Sequence, residues 1–247
     1  MSMNILARGY WSNRQLVGQQ VKPGMNRQLP IIGLALAVVL LMAGCSSDSD
    51  EPPVPATRGV YMLMDTSGTY TEELAQAQRV INYTLSDLKP GDSFAVARID
   101  TGSFSEKDII TKVTFDDRPS VSNEQKRIFQ ANIDRFLKDV KSSAYTDISG
   151  GILQAIEYLN ETGAGHKTIL VFSDLKEELR DNYVRDFPLT LNGYRVVALN
   201  VTKLRSDNID PTEYLGRLET WKQRVESGGG EWLVVNNLDR LESLLAM

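Results

Sequence analysis

Cysteine and histidine are almost missing from this chain: Cys45 and His166 are the only ones among 247 residues. With a single cysteine no disulfide can form within the chain. The lone histidine lies in the turn sequence GAGHK, ahead of an apolar run. A Ser-His-Asp triad requires its histidine beside a serine and an acid, which that position does not offer. A basic surplus is also lacking. Four of the 27 basic residues fall in 1–44, a stretch with no acid, which leaves 23 against 32 acidic side chains and a net of −9 for the remainder. That balance excludes a nucleic-acid partner, which needs a basic face. The three tryptophans are not interleaved with basic residues and offer no base-stacking platform. The longest apolar run, IIGLALAVVLLMAG at 31–44, is short. There is no internal repeat and no long low-complexity tract. What remains is 42% apolar and 24% charged, the profile of a globular protein.

The apolar run would cover only ~21 Å as a helix, against the ~30 Å of a hydrocarbon core. Behind the short basic segment Met25-Asn26-Arg27 it reads as a signal-peptide core rather than a membrane span. Residues 1–24 read as a start-site extension. Leu41-Met42-Ala43-Gly44-Cys45 resembles a bacterial lipobox, with methionine where leucine is usual. The resemblance implies cleavage before Cys45, acylation of its thiol and an anchor in which each buried methylene contributes ~0.8 kcal/mol. Ser46, in place of aspartate, implies sorting to the outer membrane of a bacterial envelope. The alternative is an uncleaved signal anchor. Residues 46–57, SSDSDEPPVPAT, form an acidic, proline-containing tether that reaches about 37 Å if extended.

From 58 to 247 apolar runs alternate with helical periodicity. Strands are expected at Gly59–Met64, Ser93–Ile99, Lys167–Ser173, Arg195–Val201 and Glu231–Val235, with a more polar edge strand at Asp108–Phe115. Helices are expected at Glu72–Leu88, Asn123–Val140, Ile148–Leu159, Glu177–Arg185, Pro211–Glu226 and Leu238–Leu245. The alternation predicts a doubly wound α/β fold, a mostly parallel sheet with helices on both faces. Ligands of such folds sit outside the carboxyl ends of the strands.

Two aspartates directly follow apolar strands: Asp65 in YMLMDTSGTY and Asp174 in LVFSDLKEE. Asp65-Thr66-Ser67-Gly68-Thr69 places hydroxyls at alternate positions after the first carboxylate. In an extended loop, 65, 67 and 69 point the same way. Hydroxyl oxygens are neutral ligands for a hard cation, and magnesium keeps near-octahedral oxygen coordination with several waters. The string resembles the D-x-S-x-S/T signature of von Willebrand factor A domains, with Thr146 in SSAYTDISGGI and Asp174 following in the family's order. The resemblance implies a metal-ion-dependent adhesion site made by Asp65, Ser67, Thr69, Thr146 and Asp174. It would hold one Mg2+ or Mn2+ per domain and bind a protein partner that offers a glutamate or aspartate, with no catalysis. Two features depart from or add to the pattern. Leu175 follows Asp174 where the family often has glycine, and Asp147 either adds charge at the site or, the favoured reading, caps the helix from Ile148. Without the resemblance, residues 65–71 read as a strand-to-helix connection with Thr69 or Thr71 as a cap.

Other functional readings are weaker. Asp100-Thr101-Gly102-Ser103 matches the aspartic-protease string, but those all-β enzymes pair two such loops. A magnesium-dependent phosphoryl-transfer enzyme using Asp65 would want a second aspartate where Ser67 stands. Glu177 and Glu178 read as first-turn residues of their own helix. Gly228-Gly229-Gly230 reads as a helix-terminating turn rather than a phosphate loop. A degenerate scaffold of the same fold without metal is the remaining alternative.

Overall fold

A computed structural model describes residues 54–67, 73–99, 105–141, 144–202, 207 and 209–236. The lipobox with Cys45, Thr69, the Asp100–Ser103 string and the expected helix at Leu238–Leu245 lie outside the described residues.

The sheet is organised around β1 (Arg58–Met64), which carries no charged residue after its first and is buried from Gly59 onward. A strand buried on both faces belongs in the middle of a sheet. β2 (Ser93–Arg98) pairs parallel to it on one side and β4 (His166–Phe172) on the other. β5 (Tyr194–Leu199) and β6 (Glu231–Val235) continue in parallel beyond β4. β3 (Ile109–Thr114), more polar as the sequence suggested, closes the opposite edge antiparallel to β2. The strand order is therefore β3-β2-β1-β4-β5-β6.

Period-two alternation feeds a separate core on each face. Val60, Met62 and Met64 of β1 pack with α1 (Leu74–Asp87) and α2 (Pro119–Asp139). Tyr61 and Leu63 pack with α3 (Ile148–Glu161) and α4 (Pro211–Ser227). The doubly wound expectation is met. Local chemistry sets the helix ends. Proline opens α2 and α4 at the first turn, where its missing N–H costs nothing. Asp210 caps α4 through the Thr212 amide. Past Ser227, Gly229 takes a φ of 83° and the amides of Gly228 and Gly230 bond back to Val225, as expected of a terminating turn. The start of α3 lies close against the sheet because Gly151 has no side chain; a Cβ there would meet Ile99 Cγ2 at 2.6 Å and Leu63 Cδ2 at 2.8 Å.

One expected element is absent. Glu177–Arg185 forms no helix. Glu178 instead makes a β-bridge with Thr146, Asn182 adopts a φ of 71°, and Glu177 and Arg185 are drawn into tertiary bonds with Ser149 and Asp147. Long-range partners override local helix propensity here. The connection between β4 and β5 is thus an ordered loop over 173–193, long enough to belong with functional loops.

Candidate functional site

Strand order locates the rim that matters. From β1 the chain steps outward to β2 and β3, then returns past β1 to β4 and continues to β5 and β6. The reversal falls between β1 and β4, so the crevice at their carboxyl ends is the topological switch point. Met64 is in register with Phe172, and Asp65 continues the ladder by donating its amide to the Phe172 carbonyl at 2.9 Å. Asp65 and Ser173 therefore leave the sheet side by side. Asp65 Oδ2 accepts from Ser173 Oγ at 2.7 Å, and Oδ1 accepts from the Ser67 amide at 2.8 Å. Asp174 comes next, its Oδ1 accepting from the Lys176 amide at 2.8 Å.

The second loop is brought to the same rim by backbone bonds. Thr146 and Glu178 exchange N–H···O bonds of 2.8 and 3.0 Å, and the Asp147 amide reaches the Ile99 carbonyl just past β2. Thr146 thus lies against the segment that carries Asp174. Asp147 caps α3 through the Gly150 amide and forms a two-pronged pair with Arg185. Glu177 also serves α3, accepting from the Ser149 amide at 2.7 Å and from its hydroxyl at 3.1 Å. It complements the dipole of that helix and not, as the sequence suggested, of its own segment.

Charge separates two of these residues from the rest of the molecule. Six aspartates are buried among the described residues: 65, 92, 108, 147, 174 and 207. Four of them face an arginine, namely Asp92 with Arg58, Asp108 with Arg98, Asp147 with Arg185 and Asp207 with Arg217. Asp65 and Asp174, 0% and 4% exposed, pair with none among the described residues, where their carboxylates accept hydrogen bonds from hydroxyl and amide groups. Burial pushes the Asp65 carboxyl above its usual range. Burial, with the neighbouring Asp65 charge adding to it, pushes Asp174 up to about 6 against the opposing pull of the Lys176 amide and of the Arg217 and Lys176 charges. A buried carboxylate without a direct ion-pair partner is costly. Two neighbouring carboxylates, with the Ser67 side chain bonded to Asp65, suit a hard divalent ion bound by few charged ligands. No cluster of three or more His, Cys, Asp or Glu side chains arranged for a metal occurs among the described residues. This rim offers donors of another kind, two carboxylates and the Ser67 side chain bonded to Asp65.

Ser173, Arg217 and Trp221 at this rim are not singled out by sequence, and Leu175 is marked there only as a departure from the family pattern. Leu175, at the position where the resembling family often has glycine, has a φ of 65°. A branched apolar residue in the left-handed region is strained by about 1 kcal/mol or more. It is held from both sides. The Leu175 amide donates to Ser173 Oγ at 3.1 Å, and its carbonyl accepts from Trp221 Nε1 at 3.0 Å. Arg217, one helical turn earlier on α4, donates Nε to the Asp174 carbonyl at 3.2 Å and grips Asp207 with both terminal nitrogens at 2.8 Å. The hydroxyl of Ser173, directly before Asp174 in LVFSD, was the one visible signal. The tryptophan and arginine partners are more than 40 residues away and leave none.

The features set aside on sequence stay apart from this rim. His166 pairs in register with Arg58 at the amino ends of the strands, the opposite end of the sheet from Asp65. A hollow of about 450 Å³ opens at that end beside Arg58 and His166, and another of about 610 Å³ lies between β3 and α2. Neither includes Asp65 or Asp174.

The fold and the rim together define a doubly wound α/β domain, with six strands among the described residues, whose candidate ligand site lies at the switch point. No match is found among protein-family models, and none among the curated proteins. Solved structures similar to the chain include a von Willebrand factor type A protein from Catenulispora acidiphila, 11% identical over 77% of this chain and 41% of that one, with a TM-score of 0.48. The pilus adhesin SpaC from Lactobacillus rhamnosus GG is 11% identical over 79% of this chain and 30% of its own, TM-score 0.49. An aerotolerance-related membrane protein from Bacteroides fragilis is 15% identical over 77% of this chain and 96% of its own, TM-score 0.42. The chain spans less than half the length of the first two. Similarity of this degree leaves the chain's own residues to carry the function.

Proposed function

We propose that the domain is a non-catalytic, divalent-cation-dependent protein-binding module, held at the bacterial envelope by an acylated Cys45. The observation that carries this reading is the pair of buried aspartates, Asp65 and Asp174, that lack the arginine given to every other buried aspartate among the described residues. Magnesium or manganese would be held by Asp65, Ser67, Thr69, Thr146 and Asp174. The two carboxylates at most balance the charge of the ion, and with neutral hydroxyls as the other donors a coordination position is left for an outside anion. A glutamate or aspartate of a partner protein is the expected occupant. The protein's own contribution is positional. Ser173 and the Ser67 amide orient Asp65, and the Thr146–Glu178 bridge brings the second loop to the third.

Calorimetric titration with MgCl2 and MnCl2 tests the reading. One ion per domain is expected for the wild type and none for Asp65→Ala or Asp174→Ala. A wild type that takes up neither ion, yet still captures a partner from envelope extracts, would instead establish a metal-free scaffold. Magnesium-dependent turnover of a generic phosphoester, abolished in Asp65→Asn, would establish the enzyme alternative.

A further inference from the structure

The connection after β4 turns at a residue unsuited to the turn. Leu175 carries a φ of 65° and is 2% exposed, its side chain packed in the core shared with α3 and α4. Glycine would adopt this backbone freely; leucine must be held in it. Trp221 is 4% exposed, and its indole N–H has the Leu175 carbonyl as its hydrogen-bond acceptor. A buried indole N–H is normally satisfied, so ring and carbonyl fix one another. Arg217 takes the preceding carbonyl, that of Asp174. Residues four apart lie on one face of a helix, so α4 presents two donors at the spacing of two successive carbonyls. From the other side, Ser173 Oγ accepts from the Leu175 amide while donating to Asp65 Oδ2. The turn at Leu175 is thereby connected to both aspartates: Asp174 is its covalent neighbour, and Asp65 shares its serine.

We infer that Trp221 is a positioning residue for the cation site: by holding Leu175 in the left-handed conformation it aims Asp174 and, through Ser173, orients Asp65. This rests on the cation-binding reading above. A leucine at this turn transfers to α4 the work that glycine does through its own conformational freedom. Mg2+ affinity should therefore depend on Trp221 only while residue 175 bears a side chain.

The test is a cycle read by calorimetric titration of the full chain with MgCl2. Trp221→Phe keeps most of the ring and removes the donor, and should weaken Mg2+ binding by about tenfold or more, as loss of an outer-shell partner does. In a Leu175→Gly background the same change should cost less than about threefold, because glycine needs no holding. Leu175→Ala removes the same packing but keeps a Cβ, so there the Trp221→Phe loss should persist. Equal losses in all three backgrounds, or no loss in the wild type, would overturn the inference. Hydrogen exchange of the Leu175 amide without metal separates the two layers of the proposal. Faster exchange in Trp221→Phe supports the holding role even if the wild type binds no cation, in which case only the cation reading fails. Unchanged exchange overturns the holding role itself.

Discussion

Thr146 and Glu178, 32 positions apart, exchange both backbone hydrogen bonds across a single bridge outside the main sheet. That bridge makes one rim of two loops. It brings Thr146 beside the segment that follows Asp174, and the loop it belongs to is fastened again by Ser149 with Glu177 and by Asp147 with Arg185. Preorganisation of this kind lowers the ordering cost of binding at the rim.

Cation binding should depend on pH with a sign set by Asp174. Its carboxyl is raised from an ordinary 3.8 to about 6, by burial first and then by Asp65. A raised folded-state value favours the protonated form, so this group's stabilising contribution is present below about pH 4 and is lost as pH rises through about 6. A cation competes with that proton. The increase in melting temperature given by Mg2+ is expected to be small near pH 5, to grow through about pH 6 and to level off above about pH 7. A pH-independent increase over that range would contradict the assignment of Asp174.

Arg185→Ala leaves Asp147 buried, with the Gly150 amide but no counter-charge. Breaking a buried pair from one side costs about 3 kcal/mol. Chemical denaturation should show a loss of that order. A change below about 1 kcal/mol would mean that the loop relaxes and hydrates the carboxylate.

Two glycine-to-alanine changes should have opposite signs. At Gly151 a Cβ would collide with Ile99 and Leu63 between helix and sheet, so alanine should destabilise by about 1–3 kcal/mol. At Gly216 on α4 nothing lies within 4 Å, and alanine should stabilise by about 0.5–1 kcal/mol. Urea midpoints of the two variants give the comparison directly.

Cys45→Ser should release the protein from membranes if the acyl anchor is as inferred. Fractionation of cells producing each form reads this, with wild type in the membrane pellet and the variant in the soluble fraction after signal cleavage. A variant that still sediments would point to an uncleaved apolar segment at 31–44 as the anchor.

Much of this architecture is legible in the sequence because the signals are local. The unbroken apolar stretch of β1, the three-and-four spacing of Leu74, Ala77, Ile81 and Leu85, and the prolines opening α2 and α4 each act within a few residues. Of the candidate site, Asp65 and Asp174 are legible as acids that end buried strands, a pattern with a known place in parallel sheets. What could not be read are the long-range choices. Glu177 and Arg185 have helical propensity, yet each finds a buried partner elsewhere, and Asn182 turns left-handed between them. Leu175 is visible as a departure from the family's glycine, but its left-handed backbone is not, because the partner that holds its carbonyl is Trp221, 46 residues on.

At the entry to β1, the Thr57 carbonyl accepts the amides of Gly165 and His166, so the amino-terminal segment joins the domain at the floor of the sheet, while Asp65 stands at its ceiling. The seven residues of β1 set these ends about 23 Å apart. Chain entry and candidate site therefore occupy opposite ends of one strand, so a change at Thr57 and a change at Asp65 act a full sheet length apart.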